Sequence, residues 1–176
     1  MKKTACSLAI IAGVTISGSV WAQSNVPDTI QVPAGHKVLF KANAKGVQIY
    51  SCQPVAEGSQ KFAWKHIAPD AVLYDEKGRR IGRHYAGPTW EGVDGSKVVG
   101  QLKARVDAPG GDSVPWLLVA AKSTSGQGGF GKVSYLNRID TNGGKAPEAG
   151  CDRKHAGKIA RSAYASTYVF YTGGLE

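Results

Sequence analysis

Lys97-Val98-Val99-Gly100-Gln101-Leu102-Lys103-Ala104-Arg105-Val106 is the clearest run of two-residue alternation in this chain, and its reading sets the fold class. Val98, Gly100, Leu102, Ala104 and Val106 fall on one side of an extended segment. Lys97, Gln101, Lys103 and Arg105 fall on the other, with Val99 the exception. Successive side chains of a strand point to opposite faces, so this stretch predicts a half-buried strand with one face on a core and one in water. Ala108-Pro109-Gly110-Gly111-Asp112 closes it with turn residues.

The same kind of segment recurs in both directions. Upstream, Arg79 to Tyr85 reads as a strand entered through the turn Glu76-Lys77-Gly78. Phe62-Ala63-Trp64-Lys65-His66-Ile67 and Ala71-Val72-Leu73-Tyr74 read as two pieces broken by Pro69, which lacks a ladder donor. Val38-Leu39-Phe40 starts the first strand, ending near Asn43. Gly46 is expected to turn the chain into Val47-Gln48-Ile49-Tyr50-Ser51-Cys52, and Pro54 ends that run. Downstream, Pro115 to Ala121 is a short continuous apolar run, the pattern of a central strand. Lys132 to Thr141 and Ala163 to Tyr171 add two more, and only Ala149 to Ala160 has room for a short helical turn. No crossover helices exist for a parallel sheet. The expectation is an all-β domain, a sandwich or flattened barrel of eight or more short, mostly antiparallel strands with at most one helical turn.

The chain begins Met1-Lys2-Lys3, continues through a short apolar run to Val14, and reaches Val20-Trp21-Ala22. A basic start, a short apolar centre and a small residue before the cut predict a secretory leader over residues 1–22 rather than a buried helix. Gln23 to Pro33 is polar, with two prolines, and predicts a loose lead-in to a single domain over 34–176. Removal of the leader takes Cys6 away and leaves Cys52 and Cys151, an even pair in an oxidising compartment. That predicts one disulfide, periplasmic or extracellular, in preference to a two-thiolate metal site. It would tie an early strand to the segment before the last and make the first and last strands neighbours. The formal charge of +9 falls to +7 without Lys2 and Lys3. Its basic residues are spread over several segments with no recognition helix, so a solvated basic surface is the default, and an anionic envelope surface suits it better than nucleic acid.

Gly46 to Cys52, His84 to Ser96, Pro115-Trp116-Leu117-Leu118, and Arg138 to Gly144 with Ala146-Pro147 and Cys151 together resemble an uncharacterised secreted domain family of bacteria and filamentous fungi. The resemblance spans nearly the whole mature chain. It implies no agreed activity, although some fungal members carry a malate dehydrogenase label. The residues do not support that label. Gly126-Gln127-Gly128-Gly129-Phe130-Gly131 fits the spacing of a dinucleotide loop, but Lys132-Val133-Ser134-Tyr135-Leu136 follows it as a strand. A pyrophosphate needs a helix N-terminus there. A glycine hairpin is expected instead, with no cofactor and no metal. His36, His66, His84 and His155 stand far apart, and no nucleophile elbow is present.

The candidate site is the segment from Arg83 to Ser96. If Asp94-Gly95 forms a two-residue turn, Glu91 opposes Val98 and Trp90 opposes Val99, which aims the Glu91 carboxylate at the core side. His84 and Arg138 would be its first partners, and Glu91, His84 and Trp90 would line a ligand-accepting opening at one end of the domain. The default is a structural corner: a bulged three-residue turn shifts the register by one, pairs Glu91 with Lys97 and makes Trp90 a cap on the core. The leading functional expectation is a non-enzymatic binding module for a sugar, peptide or anionic envelope component. The alternative is a small hydrolase or lyase using Glu91 and His84 as an acid–base pair.

Overall fold

The structure, a computed structural model, describes residues 26–173. The expected leader, 1–22, lies outside the described residues. Eight strands follow one another: β1 (His36–Pro54), β2 (Phe62–Tyr74), β3 (Arg80–Tyr85), β4 (Thr89–Gly92), β5 (Lys97–Val106), β6 (Trp116–Ser125), β7 (Tyr135–Gly143) and β8 (Ile159–Gly173). Each pairs antiparallel with the next, and β8 pairs with β1, so the sheet closes into a barrel. Of the two expected architectures the barrel holds, and the first and last strands are neighbours. Closure leaves no free edge, and eight strands enclose an interior wide enough for side chains or one small ligand.

Several sequence expectations need correction. The strands are not uniformly short, since β1 runs 19 residues, β8 15 and β2 13. Gly46 does not turn the chain. It lies inside β1 between Ala71 and Tyr164, where a Cβ would run into the backbone of Asp70 and Ala71. The glycine is needed for close approach of two strands, not for a reversal. Pro69 does not split β2 either. It pairs opposite Gln48, next to a bulge that leaves Ile67 as the extra residue between Ala68 and His66.

A second bulge revises the founding strand. Leu102 pairs with Val119, but Ala104 pairs with Leu118, so Lys103 is the inserted residue. One insertion inverts the sidedness of everything after it. Val98, Gly100 and Leu102 therefore stay on the inner face, whereas Ala104 and Val106 turn outward. There they join Trp116, Leu118, Ile139 and Val169 in a second apolar cluster centred on Ile30, which is fully buried. The lead-in thus packs on the barrel through Val26, Ile30 and Val32, while Pro27, Asp28, Thr29 and Gln31 stay exposed. Asn137 holds it by donating from Nδ2 to the Ile30 carbonyl at 2.8 Å and to the Leu117 carbonyl at 3.1 Å. Short helical turns occur at Asp28–Ile30, Gly129–Lys132 and Arg153–His155, three where one was expected.

The barrel has one plugged end and one open end. At the plugged end Phe130 meets Phe40 and Phe170 edge-on, each with ring centroids 5.1 Å apart, and Phe40 stacks on Phe170 at 4.6 Å. Such pairs contribute roughly 0.5–1.5 kcal/mol each beyond their buried area. The glycine run delivers that plug. A Cβ on Gly128 would overlap the Asp94 carboxylate, and one on Gly126 would press on Ser96. After four residues of helical turn the chain enters β7, so no helix N-terminus faces a phosphate. The glycine hairpin joins β6 to β7 as expected, but as a packed lid.

At the open end the disulfide Cys52–Cys151, with Cα atoms 5.3 Å apart, ties β1 to the loop before β8. The Trp64 indole donates to the Ala149 carbonyl at 3.0 Å, and Gly157 N–H donates to the Cys52 carbonyl at 2.8 Å, so that loop is pinned at several points. Among the described residues no helix is long and apolar enough to cross a membrane.

Candidate functional site

The β3–β4 hairpin places the two central side chains. His84 pairs directly opposite Trp90, and the alternating pleat sends both inward. Their rings stack at 4.2 Å with only 9° between planes, and Tyr168 of β8 closes edge-on against both. The His84 Nδ1–H donates to the Thr89 carbonyl at 2.9 Å, which fixes the tautomer and leaves Nε2 as the bare nitrogen. Burial is the main reason its ionisation is pushed down to about 3, and the nearby Arg138 charge pushes the same way. His84 is therefore neutral at ordinary pH, a hydrogen-bond acceptor and a poor base.

Glu91 lies on the other side of the sheet. The turn after β4 holds three residues, Val93-Asp94-Gly95, closed by Gly92 N–H donating to the Ser96 carbonyl at 2.8 Å, with Gly95 at φ 80°. Trp90 consequently pairs with Val98, and Glu91 with Lys97. The two-residue turn and its register are overturned, and the bulged corner is what forms. Glu91 accepts from Arg83 Nη2 at 2.8 Å and from the Tyr85 hydroxyl at 2.8 Å, with Lys97 Nζ at 3.4 Å. Arg83, then Tyr85, hold its carboxyl down to about 2. It stays ionised on the outer face and does not meet His84 or Arg138.

Arg138 does reach the interior. It stands on β7 opposite Leu117 and Tyr168, with its Nε and Nη2 both donating to the Pro115 carbonyl, at 3.1 and 2.8 Å. The residues after it explain how that carbonyl is held. Asp140 adopts φ 50°, breaking the β7 ladder, and Thr141 Oγ1 donates to the Val114 carbonyl at 2.7 Å. Gly143 N–H donates to Ser113 Oγ at 2.9 Å, so the β5–β6 loop is fastened beside the guanidinium. Arg138 is 9% exposed, and among the described residues it forms no ion pair. A buried charge without a counter-ion is costly, by several kcal/mol, unless dipoles or a ligand compensate it.

These side chains surround a cavity of about 270 Å³ at the open end. Its polar wall is His84, Arg138, His66, Gln48 and Tyr168. Trp90, Leu117, Val119, Leu102 and Pro88 supply the apolar part, and no carboxylate lines it. His66 Nε2 sits 2.6 Å from Gln48 Oε1, and burial followed by Arg138 lowers its ionisation. The Gln48 Nε2, Trp90 Nε1 and Tyr168 hydroxyl are buried without hydrogen-bond partners. Beyond them the Tyr164 hydroxyl lies near those of Tyr168 and Ser166, in contacts that fall short of good hydrogen-bond geometry. Tyr164 is pushed far up, by burial first and then by Tyr168. Two larger clefts flank the Asp75–Arg79 turn on the outside, but their charged walls are exposed and Asp75 is already paired with Arg79.

Three of the four predicted ligand-contacting residues thus converge: His84, Trp90 and Arg138 share one cavity, and Glu91 does not. Gln48, His66 and Tyr168 were missed. Gln48 carried a weak signal, a polar side chain in phase with Tyr50, but Val47 and Ile49 on either side invite the opposite phase. Two histidines, His66 and His84, meet here. Among the described residues no group of three or more His, Cys, Asp or Glu comes together.

Residues 33–172 match the family described as Protein of unknown function (DUF3455). The chain belongs to the DUF3455 family. The whole cavity, from Gln48 to Tyr168, lies inside the DUF3455 domain, whereas Ile30, the centre of the outer cluster, precedes it. Searches of curated proteins and of solved structures each return no match.

Proposed function

We propose that this DUF3455 chain is an exported, non-enzymatic binding module that takes a small ligand into the open end of its barrel. The observation that carries the reading is the convergence of His84, Trp90 and Arg138, from β3, β4 and β7, on one cavity where the Arg138 guanidinium has no counter-ion and bonds only the Pro115 carbonyl among the described residues. Ligand sites have this character: a mostly apolar hollow with a few fixed polar groups. The other end is plugged by Phe130, so a ligand has one entrance, and the disulfide stiffens the loops around it. That disulfide also supports export, because such bonds persist in oxidising compartments. An acid–base pair of Glu91 and His84 has no geometric support, since the sheet separates them.

The test is a thermal-shift screen of small metabolites on the oxidised protein, repeated on Leu102→Trp. Leu102 sits half-exposed at the cavity mouth, so a tryptophan there blocks entry without touching the polar wall. A ligand at 100 times its dissociation constant stabilises by about 2.7 kcal/mol, well within detection. Hits that disappear in Leu102→Trp support the reading, and hits that survive it place binding elsewhere. For export, the secreted chain is expected to start at Gln23 by mass spectrometry, and retention of residues 1–22 counts against it.

A further inference from the structure

Resting on that reading, we propose that the ligand is a small monocarboxylate with a flat apolar body, its carboxylate held by the outer fork of Arg138. The guanidinium has two edges able to offer paired N–H groups. The Nε/Nη2 edge is taken by the single Pro115 carbonyl, with contacts of 3.1 and 2.8 Å. The remaining edge, formed by Nη1 and the second Nη2 hydrogen, makes no hydrogen bond among the described residues, although the side chain is nine-tenths buried and lines the cavity. A planar fork of two donors matches the two oxygens of a carboxylate, and this match is why arginine outperforms lysine at such sites.

The rest of the wall narrows the choice. The cavity wall contains no Asp or Glu to repel an anion, and the Arg138 guanidinium beside it has no counter-ion among the described residues. A cationic ligand would meet that charge with nothing between to offset it. Trp90, Leu117 and Val119 form a broad apolar flank, with one face of the Trp90 ring already covered by His84. At about 270 Å³ the space is under twice that known to hold one benzene ring, so the ligand has roughly ten non-hydrogen atoms. An oligosaccharide or a folded peptide segment is too large to enter.

The probes are benzoate and phenylacetate, with benzamide as the uncharged isostere and phenyl phosphate as the other anion. Binding is followed by calorimetry on wild type, Arg138→Gln and Leu102→Trp, each checked for folding by its near-ultraviolet circular dichroism. The expected result is binding of at least one carboxylate to wild type, a loss of about 10- to 100-fold for benzamide and for Arg138→Gln, and no binding to Leu102→Trp. The benzamide comparison uses unaltered protein, so it remains decisive if Arg138→Gln misfolds for want of its Pro115 contact. Benzamide binding as well as benzoate, or phenyl phosphate binding better than either carboxylate, overturns the carboxylate while the cavity reading stands. Absence of binding by both carboxylates up to millimolar concentration also overturns the inference. Carboxylate binding that persists in Leu102→Trp overturns both it and the cavity reading.

Discussion

Acidification from pH 7 to pH 5 is expected to destabilise this protein chiefly through His84. The imidazole takes up a proton at about 6.5 when the chain is unfolded, but only at about 3 in the barrel, where burial and the Arg138 charge oppose it. A histidine held down in this way contributes stability that is present above its unfolded value and lost as pH falls toward its folded value. At pH 5 the unfolded chain gains about 2 kcal/mol from protonating this one side chain, and the folded chain gains almost nothing. His66, exposed at the cavity rim, acts in the same direction through partial desolvation and the Arg138 charge. Glu91 titrates lower: its contribution is present above its unfolded value near 4.5 and disappears as pH falls toward about 2, so it enters little at pH 5 or above. The assay is urea unfolding at several pH values for wild type, His84→Phe and His66→Gln. The phenyl ring keeps the stack on Trp90, so His84→Phe should show a pH dependence flatter by about 2 kcal/mol between pH 7 and 5, whatever its stability at pH 7. An unchanged slope in that variant, or an imidazole shown by NMR to titrate near 6 in the folded protein, would refute the argument.

The remaining expectations concern the scaffold and the discarded candidate. Reduction of Cys52–Cys151 opens a loop of 99 residues' separation and should cost roughly 4–5 kcal/mol, read from urea unfolding with and without reductant. Ile30→Ala should cost about 2–5 kcal/mol by the same measurement, because Ile30 is the buried centre of the outer cluster. A cost near zero would show that Ile30 does not anchor the lead-in to the barrel. Glu91→Gln should leave ligand affinity unchanged, since the carboxylate faces Arg83, Tyr85 and Lys97 on the outside of the barrel. A large loss of binding in that variant would mean that Glu91 reaches the cavity.

The polar groups inside this barrel also explain why its two ends differ. Phe40, Phe130 and Phe170 fill the plugged end with rings that need no partners. Toward the open end β1, β3, β7 and β8 carry Gln48, His84, Arg138, Tyr164, Ser166 and Tyr168 at buried positions, with the exposed His66 of β2 at the cavity rim. Each such group needs a hydrogen bond when removed from water, and several find none within the protein. Stability alone would favour apolar residues at those positions, and a cavity that receives a polar ligand gives a reason for the ones present.

Local chemistry was enough for the class of the fold. Period-two alternation along Val98 to Leu102, turn residues such as Glu76-Lys77-Gly78, and the lack of crossover helices lead to antiparallel β structure, and two cysteines remaining after the expected leader lead to the disulfide. His84, Trp90 and Arg138 could be singled out because a histidine, a tryptophan beside a carboxylate and an arginine before a polar turn are conspicuous in a β sequence. What a residue faces was decided elsewhere. A strand's two faces differ by one residue, and the single insertions at Lys103, at Ile67 and in the Val93–Gly95 turn each exchange inside for outside. Those insertions are settled by pairing between strands and by closure of the whole barrel, so only the tertiary structure could send Glu91 and Ala104 outward and bring Gln48, His66 and Tyr168 to the cavity.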